Sequence, residues 1–318
     1  MHHTNFLWVV CFLSASIVCL PAEKVHAQAG CRINLERTMT FGAGEEELYQ
    51  LADMATDSAG YLYVTDMVDN RIKKFSPCGS LLWQTGGRGR SNGFFEAIRL
   101  VRCAQGRIYI TDQYRSGIQV FDSNGRFLNR IAYGPPIIDL CPESKNRFWV
   151  EPLLFDKGGI LACIDSSGAL IEEREIEVLN RSVLSVFSFI RAGLSTALAF
   201  KFLDRILFFD PEGKIIWEAG CDLPVKQSAK KIFGWMIPAK TVYKDIAADT
   251  SGYFYVLGGH FSENNSSDIY ILDGESDHIA TITLDEPTHC LHIDHENNLY
   301  ARSKLGSQII KYRISYTE

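Results

Sequence analysis

Residues 57–66 read DSAGYLYVTD and residues 103–112 read CAQGRIYITD, the same pattern displaced by 46 positions. The stretches that follow, NRIKKFSPCGSLLW at 70–83 and SGIQVFDSNGRFLN at 116–129, keep that displacement. Self-similarity at such a period marks a repeat architecture. With Gly60 as anchor, the turn recurs at Gly106, Asn146, Gly252 and Asn297, at intervals of 46, 40, 106 and 45. Three residues after each anchor stands an aromatic: Tyr63, Tyr109, Trp149, Tyr255 and Tyr300. A second signature closes a later strand, as FSPCG (75–79), FDSNG (121–125), IDSSG (164–168), FDPEG (209–213) and LDGES (272–276). The FDPEG copy falls inside the long interval, which therefore hides one further unit.

Each unit is four short strands joined by Gly, Asn and Asp turns, the pattern of a propeller blade rather than of alternating strand and helix. Six units begin near residues 50, 97, 137, 183, 243 and 288. One blade cannot bury both of its faces, whereas a ring of six can, and the recurring aromatics are expected between blades. The last unit stops after its third strand, QIIKYRI at 308–314, while an orphan strand, INLERTMTFG at 33–42, precedes the first. The expected fold is therefore an all-β, six-bladed β-propeller of four-stranded antiparallel blades, its N-terminal strand completing the last blade. Such pairing removes two exposed strand edges.

The run Asp57, Gly60, Tyr63, Asp66, Asn70, Arg71, Ile72, Phe75 and Gly79, repeated by Asp112, Ile118, Phe121, Asp122 and Gly125, resembles the NHL-repeat family of six-bladed propellers. The resemblance covers nearly the whole chain after residue 30. It implies the architecture, while rings of this kind include receptors, scaffolds, RNA binders and a few enzymes. The pattern departs later, where Pro152, Gly258 and Ser303 replace the aspartates at 66 and 112. Amidating lyases on such rings gather histidines at a central zinc; here only His260 and His289 stand near the corresponding rim, so that site is not carried over.

The chain of 318 residues is 46% hydrophobic and 22% charged, the balance of a folded globular protein, and its net charge of −6 supplies no basic field for nucleic acid. Phe6 to Leu20 is an apolar run with the length of a signal-peptide core, followed by Ala27-Gln28-Ala29, a cleavage pattern that would leave a chain starting at Gly30. The expected organisation is a signal peptide over 1–29 and the propeller over 30–318, exported to the periplasm or outside the cell, monomeric and without a stable membrane span. A lipid anchor at Cys31 fits less well, because Gln28 stands where such sites carry Leu. The seven cysteines beyond the signal are scattered and odd in number, which is no disulfide framework. Asn180 and Asn264 lie in glycosylation-type triplets.

Counting four residues back from the Asp57 equivalent places Asp53, Arg99, Asp139, Asp245 and Cys290 at one mouth of the channel, with the fourth blade unassigned. Oxygen ligands there suit a hard cation, Ca²⁺ being the candidate, and Arg99 suits a carboxylate or phosphate on a ligand. The plainer reading has the aspartates capping strand ends, bonding backbone N–H groups and pairing with Arg99. Loop length gathers on the same face: Arg88 and Arg90 in TGGRGRSNGFFE (85–96), His260 in the loop at 258–268, and Trp235 in the basic-aromatic connection 219–242. His289, His292 and His295 cannot converge on a metal, because residues three apart on a strand face opposite sides. No nucleophile elbow, P-loop or zinc-protease motif occurs, so no catalytic residue, metal ligand or cofactor is assigned. The sequence thus points to an exported, non-catalytic propeller that recognises a protein, peptide or glycan through its loop-rich rim. The alternative is a metal-assisted lactonase or lyase working at the channel mouth.

Overall fold

A computed structural model describes residues 32–42, 48–154, 159–176, 186–192, 195–223, 229–232, 235–238, 240–260, 267–273, 278–303 and 305–317. The signal-type segment, Cys31 and both glycosylation-type asparagines lie outside these residues. Six four-stranded antiparallel sheets follow one another along the chain. Blade 1 is β2 (Leu51–Thr56), β3 (Leu62–Asp66), β4 (Arg71–Phe75) and β5 (Leu81–Gly86). Blade 2 is β6 (Ile98–Ala104), β7 (Arg107–Asp112), β8 (Ile118–Asp122) and β9 (Phe127–Ile131). Blade 3 runs over β10 (Ile137–Ser144), β11 (Arg147–Pro152), β12 (Gly159–Ile164) and β13 (Leu170–Ile176). Blade 4 comprises β14 (Phe187–Ala192), β15 (Ser195–Phe200), β16 (Ile206–Phe209) and β17 (Ile215–Ala219). A hairpin of β18 (Ala229–Ile232) and β19 (Trp235–Pro238) then precedes blade 5, made of β20 (Tyr243–Ala248), β21 (Phe254–Gly258), β22 (Asp268–Leu272) and β23 (His278–Thr283).

Blade 6 takes β24 (Leu291–Ile293), β25 (Asn298–Arg302) and β26 (Ile309–Thr317), and its fourth strand is the N-terminal β1 (Arg32–Phe41). The pairing runs from Arg32 opposite Thr317 to Phe41 opposite Ile309, with one bulge near Thr38. The ring closes as the repeat count requires.

The signatures have a local cause. Asp57 accepts hydrogen bonds from the N–H groups of Ala59 and Tyr61 and from the Tyr63 hydroxyl. Asp249 does the same with Ser251, Tyr253 and Tyr255, and Asp294 with Glu296, Asn298 and Tyr300. One carboxylate thus shapes the turn and anchors the aromatic that begins the next strand. In the FDxxG turn, Asp122, Asp165 and Asp210 bond backbone N–H groups two or four residues on, and Gly125, Gly168 and Gly213 take positive φ.

Burial peaks in the two middle strands of a blade and falls at the outermost one. The second strand LYVTD is wholly buried, whereas the outer strand of the same blade alternates between half-buried and exposed. The apolar clusters lie between blades: Ala55, Tyr63 and Ile72 of blade 1 pack on Val101, Ile110 and Phe121 of blade 2. Phe41, Tyr300 and Ile309 of blade 6 likewise pack on Leu51, Val64 and Phe75 of blade 1. The recurring aromatics belong to this core, each at most 2% exposed.

Two glycines test the packing. Both Gly60 and Gly168 have positive φ, but a Cβ on Gly60 meets nothing closer than Pro77 at 3.7 Å, whereas on Gly168 it would fall 1.4 Å from the Ala132 carbonyl oxygen. Gly60→Ala is expected to cost about 1 kcal/mol for the left-handed backbone alone. Gly168→Ala is expected to cost at least twice that, because blades 2 and 3 must separate locally; urea denaturation of the two variants reads the difference.

Candidate functional site

The first strand of each blade lines the axis, and its neighbours within the sheet lie on one side only. Strand register fixes which residues share a level at the loop-side mouth. Asp53 pairs with Thr65, Asp139 with Glu151, Ser188 with Ala199 and Asp245 with Leu257. In blade 2 this level belongs to Leu100, whose N–H bonds the Thr111 hydroxyl as the Asp53 N–H bonds that of Thr65. Ser188 fills the place left open in the fourth blade. Arg99 is therefore displaced from the ring of mouth residues; its carbonyl accepts from the Thr65 hydroxyl.

The displacement has a simple origin. Blade 1 turns over five residues between Thr56 and Leu62, but blade 2 turns over Gln105 and Gly106 alone, both with positive φ. Cys103 stands where Asp57 would organise the longer turn, and a two-residue hairpin takes its place. The strand before it slides by one, which moves every side chain to the other face. Arg102, not Arg99, then reaches the axis.

Arg102 gathers the first two carboxylates. Its guanidinium contacts Asp53, lies 2.8 Å from Asp139, and donates to the Leu140 carbonyl at 2.8 Å. Asp245 feels its charge but makes no bond to it. The aspartates spend their other oxygen valences on backbone N–H groups of the next blade: Asp53 on Val101, Asp139 on Phe189 and Asp245 on Leu291, all at 2.9–3.0 Å. Asp139 and Asp245 also cap the N–H of the following residue. Among the described residues no three His, Cys, Asp or Glu side chains are placed to hold a metal ion.

Burial pushes the Asp53 carboxyl up against the pull of Arg102. Asp245 is pushed up to about 7 by burial and by the charges of Asp139 and Asp53, with Lys201 and the Leu291 N–H acting the other way. Below this level lies a cavity of about 140 Å³, bordered by all six inner strands through residues such as Met54, Arg102, Cys141, Phe189, Ile246 and His292. His292 Nε2 sits 3.0 Å from the Thr56 N–H and so accepts; burial and the Arg102 charge hold this imidazole down to about 4. Cys290, at the mouth level, is a buried thiol pushed up by burial.

The remaining candidates are scattered around the rim. Arg88 and Arg90 are exposed on the connection between blades 1 and 2, where Arg90 pairs with Glu96 at 2.7 Å. His260 is half-buried after β21, and its charge acts on His289. Of Trp235 only the backbone is described, at the start of β19. Sequence spacing missed Arg102, Ser188 and Glu151. The absence of an aspartate at Cys103 was the available sign that the count in blade 2 must change.

Arg102→Met leaves two buried carboxylates without their cation and is expected to cost about 3 kcal/mol in urea denaturation. Arg99→Ala is expected to stay within about 0.5 kcal/mol. A carboxyl raised from 3.8 to about 7 favours the folded state fully below pH 4, and that contribution is lost as pH rises to 7. Melting temperature followed from pH 4 to 8 is expected to fall less steeply in Asp245→Asn than in the parent.

No family model matches the chain, and no curated protein matches it in sequence. Solved structures do match its shape. A member of the DUF4221 family from Bacteroides vulgatus has a TM-score of 0.62 at 12% identity, covering 92% of this chain and 100% of that one. A protein of unknown function from Bacteroides thetaiotaomicron gives 0.62 at 12% identity, over 90% and 76%. Virginiamycin B lyase from Staphylococcus aureus gives 0.55 at 12% identity, over 89% and 99%. At such identities the likeness shows the fold alone: the chain is a six-bladed β-propeller.

Proposed function

We propose that this is an exported, non-catalytic binding propeller that captures a protein or peptide on the loop face of blades 6, 1 and 2. One observation carries the reading. Tyr49, Met67, Val68, Phe94, Tyr114 and Leu305 are large apolar side chains left exposed, and all belong to loops of that face on three consecutive blades. Tyr114 and Leu305 are 73% and 82% exposed. Monomeric surfaces seldom gather apolar side chains in this way without a partner, and aromatic residues beside arginine are the composition of interface hot spots.

The supporting backbone is firm. Asp66 accepts from the N–H groups of Tyr49, Gln50 and Val68, and Asp112 from those of Glu96, Ala97 and Tyr114. Lys73, fully buried, ties Asp66 to Asp69 at 2.8 and 3.0 Å. Arg115 donates to the carbonyls of Ser91 and Phe94. The loops are held before any partner arrives, which lowers the ordering cost of association. The NHL-type motif residues Asp66 and Asp112 thus serve the rim, consistent with membership of that family's binding propellers. The signal-type start of the sequence supports export.

Proteins retained by the immobilised propeller, compared with those retained by a Phe94→Ser, Tyr114→Ser, Leu305→Ser triple variant, test the reading. The expected result is a partner whose affinity drops at least tenfold in the variant while the melting temperature is unchanged. Equal retention by both forms would refute it.

A further inference from the structure

Three connections meet on the loop side of blade 2: 85–97 leading in from blade 1, 112–117 between its second and third strands, and 130–136 leading out to blade 3. They carry four arginines, Arg88, Arg90, Arg115 and Arg130, against two acids, Glu96 and Asp112. Both acids are already engaged. Arg90 pairs with Glu96 at 2.7 Å, and the Asp112 oxygens accept from the N–H groups of Glu96, Ala97 and Tyr114. Arg88, Arg115 and Arg130 have no carboxylate within ion-pair distance among the described residues. A chain with a net charge of −6 thus keeps a local excess of positive charge here.

Contacts between the connections bring these cations into one patch. Arg115 Nη1 donates to the Ser91 and Phe94 carbonyls at 3.2 Å, and Arg130 Nη2 donates to the Ser116 carbonyl. Gln119, buried, clamps the same loop: it accepts from the Gly93 N–H at 2.8 Å and donates to the Phe94 carbonyl at 2.9 Å. The Phe94 side chain lies against Gly87 and Gly89, where a Cβ on Gly89 would stand 3.2 Å from that of Phe94. Arg88, between these glycines, is exposed, and its side chain makes no hydrogen bond or ion pair among the described residues. A guanidinium carries five N–H donors in a fork that matches a carboxylate, and most of those on the three arginines are uncommitted. Phe94 and Tyr114, 43% and 73% exposed, stand among them.

Resting on the rim reading above, we propose that the partner offers an acidic peptide segment to the loop side of blade 2, its carboxylates meeting Arg88, Arg115 and Arg130 and an apolar side chain settling on Phe94 and Tyr114. Charge complementarity selects this chemistry, since a basic or neutral segment would cover three guanidiniums without supplying a counter-charge. Gln119 and Asp112 fix the loops before association, which keeps the ordering cost low. Ion pairs at an exposed rim are screened by salt, so the affinity falls as ionic strength rises.

Fluorescence anisotropy on the full chain tests this with a labelled peptide of about twelve residues alternating Glu with Leu, against the same peptide with Gln in place of Glu. The expected result is saturable binding of the acidic peptide, at least tenfold tighter than that of the Gln peptide, weakening about tenfold between about 0.05 and 0.5 M salt. Arg88→Glu, which removes no side-chain contact of the fold, is expected to weaken binding at least fivefold at an unchanged melting temperature. Arg126→Gln, on the turn side, is expected to leave it unchanged. The two readings fail separately. A partner released by the Phe94→Ser, Tyr114→Ser, Leu305→Ser variant but held equally by Arg88→Glu and at raised salt would keep the rim and overturn the acidic segment. No binding of the acidic peptide, or equal binding of the Glu and Gln peptides, would overturn it too. So would equally tight binding of an oligothymidylate, which would mark a patch for any polyanion.

Discussion

The inner strand of a propeller blade has a neighbour on one side only, so polar groups along its other edge must be met from outside the sheet. Everything at the axis of this ring answers that constraint. Asp53, Asp139 and Asp245 cross from blades 1, 3 and 5 to the backbone of blades 2, 4 and 6. The alternate boundaries use other chemistry: Arg102 to the Leu140 carbonyl, Lys201 and Ser188 to the Lys244 carbonyl, and Thr56 to His292. The six blades are therefore joined at the axis as three carboxylate-stapled pairs, with cationic or neutral links between the pairs. A three-fold pattern is laid over a six-fold repeat.

Much of the ring is legible in the amino-acid sequence itself. The turn aspartates, the glycines and the aromatics recur at fixed distances because each carboxylate shapes its turn and anchors its tyrosine, so spacing alone counts the blades. The closing strand is legible for the same reason, since the last unit lacks a strand and the first is preceded by a spare. The mouth residues are less so. Counting from a turn assumes that every turn has one length, and Cys103 removes the carboxylate that sets the longer one. A single missing residue then exchanges Arg99 for Arg102. In blade 3 the turn is also two residues long, but an extra bulge between Pro142 and Ser144 restores the count, and Asp139 falls where spacing places it. Bulges of this kind leave little trace in a single sequence.

The two ends of the ring are built to different standards. On the turn side, most loops are closed by their own aspartate and leave little polar capacity free. On the loop side, carboxylates such as Asp66 and Asp112 organise the connections between blades, and apolar side chains remain outside the core. The acidic layer around Arg102 separates that side from the small axial cavity beneath it.

The pairing of β1 with β26 also sets an order of events during folding. The first described strand has no partner until the last one exists, and contacts of such long sequence separation form late and slowly. Blades 1 to 5 can each assemble from consecutive strands, but β1 must wait unpaired, its edge open to other chains. A chain interrupted anywhere before β26 would retain that open edge, so the ring reports its own completion only when its final strand is in place.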